Sequence, residues 1–377
     1  MEKNKIWAND ETEVSRLGFG CMRFPEKDGG IDEEKALAML NRAYDAGVTY
    51  FDTAWPYHGG KSEEFVGRRF VSTHDRSTFM LATKLPCWAV TSVEKAEEIF
   101  AKQLENLHTD YIDFYLLHAL NKDSFSKMEK LGICQLLLKW KQEGKIRHIG
   151  FSFHDSYEVF ESIVNYWDKW EFCQLQLNYM DMEDQAGMKG YRLAEEKGIP
   201  IVVMEPVKGG SLANIPDDVR KPFLELDPEA SNASWALRYV ASLPNVKVIL
   251  SGMTQEDQLE DNLKTFAKKT ALSEQEIQAV YRVRDELAAR TKNGCTGCRY
   301  CMPCPMGVNI PENFRIWNTY YRYQNAGEAR WQWNSMPEAA KGSACVQCGK
   351  CEEACPQKLN IREDLQTLCA QLNEVCK

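Results

Sequence analysis

Short apolar runs rich in β-branched and aromatic residues recur along the first three quarters of the chain: YFDTA (50–54), FMLATKL (79–85), YIDFYLLH (111–118), IRHIGFSF (146–153), FCQLQLNY (172–179), IPIVVMEP (199–206) and VKVILSG (246–252). Near-continuous apolar runs of this length read as strands covered on both faces, the pattern of a parallel sheet. Segments with apolar residues three and four apart lie between them, at 32–46, 93–107, 135–143, 157–166 and 257–266, and predict amphipathic helices. One more strand at 17–22 makes eight strand–helix units over roughly 270 residues, the arithmetic of a (β/α)8 TIM barrel. An open doubly wound sheet is the competing α/β architecture. It would place G-x-G-x-x-G after the first strand, and Gly18, Gly20, Gly29 and Gly30 do not fit that spacing.

In a barrel the chemistry gathers where strands end, so the informative positions are those where an apolar run turns polar. They are Asp52, Lys84 and His118, with Tyr57 five residues beyond Asp52. Each alone is more often a satisfied ion pair than a catalyst. As an ensemble they form a device: Lys84 paired with Asp52 lowers the pKa of the Tyr57 phenol, which protonates a carbonyl oxygen that His118 orients. The same four residues as a packed polar network, without catalysis, is the alternative.

Beyond residue 290 the chain changes character, and ten of its 14 cysteines lie there. Cys295, Cys298, Cys301 and Cys304 precede Pro305, and Cys345, Cys348, Cys351 and Cys355 precede Pro356. A C-x2-C-x2-C step sets three thiolates around one loop, while the cysteine before proline serves the other cluster. Crossed ligation follows: one [4Fe-4S] cluster on Cys295, Cys298, Cys301 and Cys355, the other on Cys345, Cys348, Cys351 and Cys304. The first run ends in an x2 step where x3 is usual. Disulfides fit poorly between cysteines three apart on one loop, and zinc leaves no use for a third cysteine at that spacing. The segment 305–344 holds Phe314, Trp317, Tyr320, Tyr321, Tyr323, Trp331 and Trp333. It reads as an aromatic helical insert packed against the neighbouring domain and shielding the clusters, with electron relay the lesser alternative. The six other cysteines read as small buried hydrophobes.

Of the 377 residues 44% are hydrophobic and 27% charged, with a net charge of −9, which argues against nucleic acid or an anionic membrane as partner. The polar amino end and the absence of a long apolar stretch predict no signal, no membrane span and a cytoplasmic protein. Residues 291–377 carry ten basic and eight acidic groups, so the acidic excess lies in residues 1–290.

The motifs FDTAWPYHGGKSEEFVG, LATK and YIDFYLLH, with the later GFS, QLQLNY and NL elements, resemble the aldo-keto reductase family over nearly all of residues 10–270. The stretches CTGCRYCMPCPMGVNIP and CVQCGKCEEACPQKLNIRE resemble the ferredoxin-like extension carried by an anaerobic bacterial branch of that family. The resemblance implies a barrel domain at 1–290 and a small ferredoxin-like 2[4Fe-4S] domain at 291–377. It implies a tetrad of Asp52, Tyr57, Lys84 and His118, with Tyr57 as the acid in hydride transfer. Ser152 and Gln174 would hold a nicotinamide carboxamide, and Phe153 stands where the family commonly has asparagine. Met204 would lie where an aromatic ring often stacks on the nicotinamide. Aligned on Asn262, Gly252 and Gln258 take the places of a lysine and an arginine that meet the 2′-phosphate of NADPH, which leaves NADPH, NADH or neither open.

The function expected is an oxidoreductase acting on a carbonyl or related small molecule, with electrons from NAD(P)H, from the clusters or from both. A ferredoxin or other redox protein is a possible partner. An electron-transfer or redox-sensing protein with a non-catalytic barrel, and a reductase whose clusters are only structural, are the alternatives.

Overall fold

A computed structural model describes residues 1–7 and 13–376. Eight parallel strands close into a barrel: β1 (Leu17–Gly20), β2 (Tyr50–Asp52), β3 (Met80–Leu85), β4 (Ile112–Leu120), β5 (Ile146–Phe153), β6 (Phe172–Gln176), β7 (Ile201–Met204) and β8 (Val246–Ser251). Each pairs with the next in chain order, and β8 returns to β1 with Ile249 opposite Leu17 and Ser251 opposite Phe19. The helices between them are α1 (Glu33–Asp45), α2 (Ser62–Arg69), α3 (Val93–Asn106), α4 (Lys122–Lys130), α5 (Ile133–Gln142), α6 (Tyr157–Tyr166), α7 (Gly187–Glu196), α8 (Asn232–Ala241) and α9 (Glu256–Phe266). The expected TIM-barrel architecture is the one observed, and most strands begin or end within a few residues of the apolar runs.

The helices form where the sequence supplies both a face and a stop. In α3, Ala96, Ile99, Phe100 and Gln103 fall on one buried stripe, and the Ser92 hydroxyl accepts from the amide of Lys95 to cap the helix. The amino end of the barrel is closed by an antiparallel pair, Lys3–Lys5 with Glu13–Ser15. Trp7 follows the first of these strands, donating its indole N–H to the Glu171 carbonyl and packing 4.2 Å from the His148 ring. Ile6, Val14, Tyr50, Phe114, Phe172 and Val248 make the core beneath it. Packing chemistry thus occupies this end and leaves the opposite end for a site.

The chain divides into two compact units, 1–210 with 233–277 and 211–232 with 278–377. In the second, α10 (Glu274–Ala289) leads to α11 (Ile310–Tyr323), α12 (Ala326–Ser335) and α13 (Ile361–Val375). Phe314, Trp317 and Trp333 pack there with Leu365, Leu368 and Leu372. The indoles of Trp317 and Trp333 donate to Gln371 and Asn373, so these rings form the core of their own unit, tied to α13. Trp331 is 70% exposed and takes no part in it. Outside the two runs, Cys21, Cys87, Cys134, Cys173 and Cys369 are buried and Cys376 is half-buried.

One close approach in the barrel admits only glycine. A Cβ on Gly67 of α2 would stand 1.9 Å from the Asn106 carbonyl oxygen and 2.6 Å from Leu107 Cα, both backbone atoms. Gly67→Ala is therefore expected to cost about 1–3 kcal/mol of stability, read as a lower urea midpoint at unchanged slope.

Candidate active site and metal centres

At the carboxyl end of β3, the Lys84 ammonium is fully buried and donates to Asp52 Oδ1 at 2.6 Å, to the Thr53 carbonyl at 2.8 Å and to the Tyr57 hydroxyl at 3.4 Å. Asp52 is the last residue of β2, next to β3 in the barrel, so strand pairing itself brings acid and amine together. Tyr57 opens a tight turn, Tyr57–Gly60, held from the side by His58. The imidazole of His58 accepts from the Phe24 amide at 3.1 Å and lies 3.2 Å from Glu26, tying the loop after β1 to the loop after β2.

Burial pushes the Tyr57 phenol above its ordinary value; Lys84 pulls it down without overcoming burial, and Asp52 adds to the rise. The sequence-based expectation of a lowered phenol is corrected accordingly: the field of Lys84 has the expected sign, and desolvation outweighs it. Burial likewise raises the Asp52 carboxyl against the pull of Lys84. For Lys84 burial opposes the charge, yet Asp52 and Tyr57 more than offset it and hold the ammonium. His118, on β4, packs edge-on to Tyr57 at 6.1 Å and 5.1 Å from Trp88. Burial first, then Lys84 and His154, push its pKa down to about 3, so the imidazole is neutral, and its Nδ1 is buried without a hydrogen-bond partner.

Tyr57, His118, Trp88, Met22, Glu26 and His58 line one open cleft of about 820 Å³. The barrel thus brings together all four residues of the expected tetrad. Trp88 stands at the mouth of the cleft, 54% exposed, whereas Phe24 and Phe125, on the neighbouring loops, are buried.

Below the ion pair lies a network that the sequence pattern did not single out. Glu63, in the first turn of α2, is buried and accepts from Thr83 Oγ1 at 2.5 Å and Gln103 Nε2 at 2.7 Å. Gln103 also donates to the Lys84 carbonyl at 3.0 Å and accepts from Tyr115 at 2.7 Å. Burial raises the Glu63 carboxyl despite these bonds. A glutamate opening an acidic helix reads as solvated, and nothing in its spacing marks it otherwise.

The expected nucleotide residues gather around β5 to β8. Ser152 and Gln174 are register partners on β5 and β6. The Ser152 hydroxyl accepts from the Ala119 amide, and Gln174 Nε2 lies 3.7 Å from Met204 Sδ. The Gln174 carboxamide oxygen is buried with no donor, so it suits a ligand amide N–H such as that of a nicotinamide carboxamide. Asn262 donates to Ser251 at 2.9 Å. Gln258 turns its oxygen to the amides of Thr254 and Gln255, capping α9, and Gly252 offers no side chain.

In the second unit the eight clustered cysteines surround two cavities. One, of about 330 Å³, is lined by Cys295, Cys298, Cys301 and Cys355. The other, of about 640 Å³, is lined by Cys304, Cys345, Cys348 and Cys351, with Cys301 at its edge. Among the described residues no three His, Cys, Asp or Glu side chains converge on a point as a single metal ion requires. Thiols spread around a cavity instead suit a multi-atom iron–sulfur cluster.

The sequence pattern of the aldo/keto reductase family matches residues 16–285, and that of a 4Fe-4S dicluster domain matches residues 294–359. The chain belongs to the aldo/keto reductase family. It is 28% identical over 313 residues to an uncharacterized oxidoreductase, YqkF, of Bacillus subtilis, covering 74% of this chain and 95% of that protein. It is 25% identical to L-galactose dehydrogenase of Arabidopsis thaliana, over 70% of this chain and 88% of that one. The holo form of aldo-keto reductase AKR11C1 from Bacillus halodurans superposes with a TM-score of 0.60 at 26% identity, covering 75% of this chain and 96% of its own. An aldo-keto reductase from Klebsiella pneumoniae, solved in complex with NADPH, shares the fold with a TM-score of 0.60 at 21% identity over 75% of this chain and 96% of that one. The protein is therefore an oxidoreductase of this family with a 4Fe-4S dicluster domain, and no helix among the described residues is long and apolar enough to cross a membrane.

The two cavities generate a test of crossed ligation. Cys355→Ser and Cys304→Ser are each expected to lose about four of about eight iron atoms per chain, from different clusters. Iron analysis with electron paramagnetic resonance of the reduced proteins reads this; loss of the same signal from both variants contradicts it.

Proposed function

We propose that the barrel reduces a small carbonyl or related organic substrate, with Tyr57 as proton donor and NAD(P)H as hydride source, and that the carboxy-terminal unit carries two [4Fe-4S] clusters. The observation that carries this reading is the Lys84 ammonium held between Asp52 and the Tyr57 hydroxyl at the cleft that His118 also lines. Ser152 and Gln174 hold the carboxamide of the nucleotide, with Met204 beside them. When bound, a reduced nicotinamide supplies two electrons and a hydrogen as hydride to the carbonyl carbon.

The chain's own residues govern the oxygen. As the carbonyl oxygen gains charge, Tyr57 gives it a proton, and the product leaves as an alcohol. Lys84 stabilises the phenolate left on Tyr57 until solvent returns the proton. Asp52 keeps Lys84 charged in its buried place. His118, neutral, offers a hydrogen bond to the oxygen without competing as an acid. The cluster cysteines are the crossed sets, and the sequence domains meet near residue 290, a little beyond the break after residue 277 between the compact units.

Cys301 and Ile310 line both cluster cavities, which favours electron exchange between the clusters and supports a second reading. In it the clusters pass single electrons to or from a redox protein such as a ferredoxin, and the barrel's chemistry is separate.

Tyr57→Phe discriminates the two. Against a panel of small aldehydes and ketones, the first reading expects NAD(P)H-dependent reduction to fall about 10²–10⁴-fold, with nucleotide affinity and cluster reduction by dithionite unchanged. Retained turnover sinks the proton-donor role. The pH profile is a separate check. Burial raises the phenol above its ordinary value and lowers His118 to about 3, so the acid form of Tyr57 and the neutral form of His118 coexist across the neutral range. The reduction rate is expected to show no inflection near pH 6.5 and to fall only in the alkaline range, beyond where an ordinary phenol loses its proton.

A further inference from the structure

The cleft in front of Tyr57 carries a charge that the tetrad does not use. Glu26 belongs to a short antiparallel pair after β1, Glu26–Lys27 with Gly30–Ile31, in which it stands opposite Ile31. It lines the cleft together with Tyr57, Trp88 and His118. Its carboxylate is 64% exposed and lies 3.2 Å from His58 Nδ1. The other ring nitrogen of His58, Nε2, accepts from the Phe24 amide and so carries no proton, which puts the imidazole proton on Nδ1, facing Glu26. A neutral donor therefore holds the carboxylate in place and leaves its charge uncompensated.

No cation answers that charge from the wall of the cleft. His118 is neutral, and the Lys84 ammonium is fully buried against Asp52. Lys27 follows Glu26 on the same strand, so its side chain leaves from the opposite face. Lys127 directs its ammonium at the carbonyls of Cys87 and Trp88 and is not among the residues lining the cleft. Those two bonds fix the backbone of Trp88, whose indole is 54% exposed and stands 5.1 Å from the His118 ring. Met22, 56% exposed, adds an open thioether to the same wall. A large indole left open beside an uncompensated carboxylate is the chemistry that receives an ammonium group, by charge from one side and by the ring face from the other.

We propose that Glu26 selects the substrate: the carbonyl compound reduced at Tyr57 bears a positively charged ammonium group, received between the Glu26 carboxylate and the Trp88 indole. The proposal rests on the reading that the barrel reduces a carbonyl with NAD(P)H, and it narrows the substrate from small carbonyl compounds in general to cationic ones. Carbonyl compounds that carry a carboxylate, such as 2-oxo acids, are disfavoured, because Glu26 repels them and no residue lining the cleft offers them a cation. Glu26 takes no part in the proton transfer; it acts through the affinity of the site for one class of substrate.

Aldehydes carrying a trimethylammonium group three to five methylenes from the carbonyl test this, each beside its uncharged tert-butyl isostere and the carboxylate of the same length. The anaerobically purified full-length protein is assayed on them with NADH and with NADPH. The quantity read is the ratio of kcat/KM for cation and isostere within one preparation, which cancels any loss of folded protein. At the best-fitting length the parent is expected to favour the cation about 5- to 20-fold and to turn over the carboxylate least. Glu26→Gln is expected to lower the cation-to-isostere ratio about 3- to 10-fold and Glu26→Lys to reverse the preference, while added salt shrinks the preference of the parent. A ratio that changes less than twofold in Glu26→Gln, or a parent that prefers the isostere or the carboxylate, overturns the proposal and leaves carbonyl reduction standing. A parent that reduces none of the charged or uncharged aldehydes with either nucleotide overturns the reading beneath it as well.

Discussion

Burying the Lys84 ammonium is the constraint on which the site depends. An unpaired charge at that depth costs several kcal/mol, and a strand end in a barrel core offers few ways to meet it. The fold meets it with one carboxylate from the adjacent strand, one backbone carbonyl and one phenol. The geometry of Asp52, Thr53 and Tyr57 follows from that requirement. So does the polar layer below, where Gln103 binds the Lys84 carbonyl while satisfying Glu63, Thr83 and Tyr115. Such a network rigidifies when every member is paired. Asp52 Oδ2, Glu63 Oε2 and His118 Nδ1 lack protein partners, so the unsatisfied capacity of this region is concentrated around the ion pair and the cleft.

The second unit solves a different problem with the same economy. Two cysteine loops cannot build a core alone, and the core comes instead from the aromatic helices inserted between them and from α13. Cys355 belongs to this core and also lines the cavity of the first cysteine run, so packing and ligand placement are coupled at that residue. Arg362 ties the second loop: it binds Glu352 through Nε at 2.8 Å and the Gln347 carbonyl at 3.3 Å.

The parts of this structure legible from sequence are those where one physical rule dominates. Buried parallel strands must be apolar throughout, so the eight runs stood out, and a polar residue ending such a run was conspicuous enough to mark Asp52, Lys84 and His118. Cysteine spacing on a short loop is similarly restrictive, and the two cavities are lined by the sets that spacing suggested. Illegible were features decided by competition or by distant packing. The net direction of the Tyr57 phenol depends on how burial compares with the field of Lys84, and sequence gives only the latter. Glu63 has only acidic and polar neighbours in sequence, and the partner that receives its buried carboxylate, Gln103, lies forty residues away. Phe24 sits in a polar loop and is buried by His58 and Phe65, which pack on its ring, contacts that its own neighbours in the chain do not announce.

A double-mutant cycle on the buried pair tests the central claim most directly. Chemical unfolding of Lys84→Met, Asp52→Asn and the combined variant separates the cost of an orphaned charge from that of losing both. The account predicts that Lys84→Met alone loses about 3–5 kcal/mol and that adding Asp52→Asn restores most of it, while carbonyl reduction stays lost in both. Additive losses in the double variant, or reduction that survives without Lys84, would contradict it.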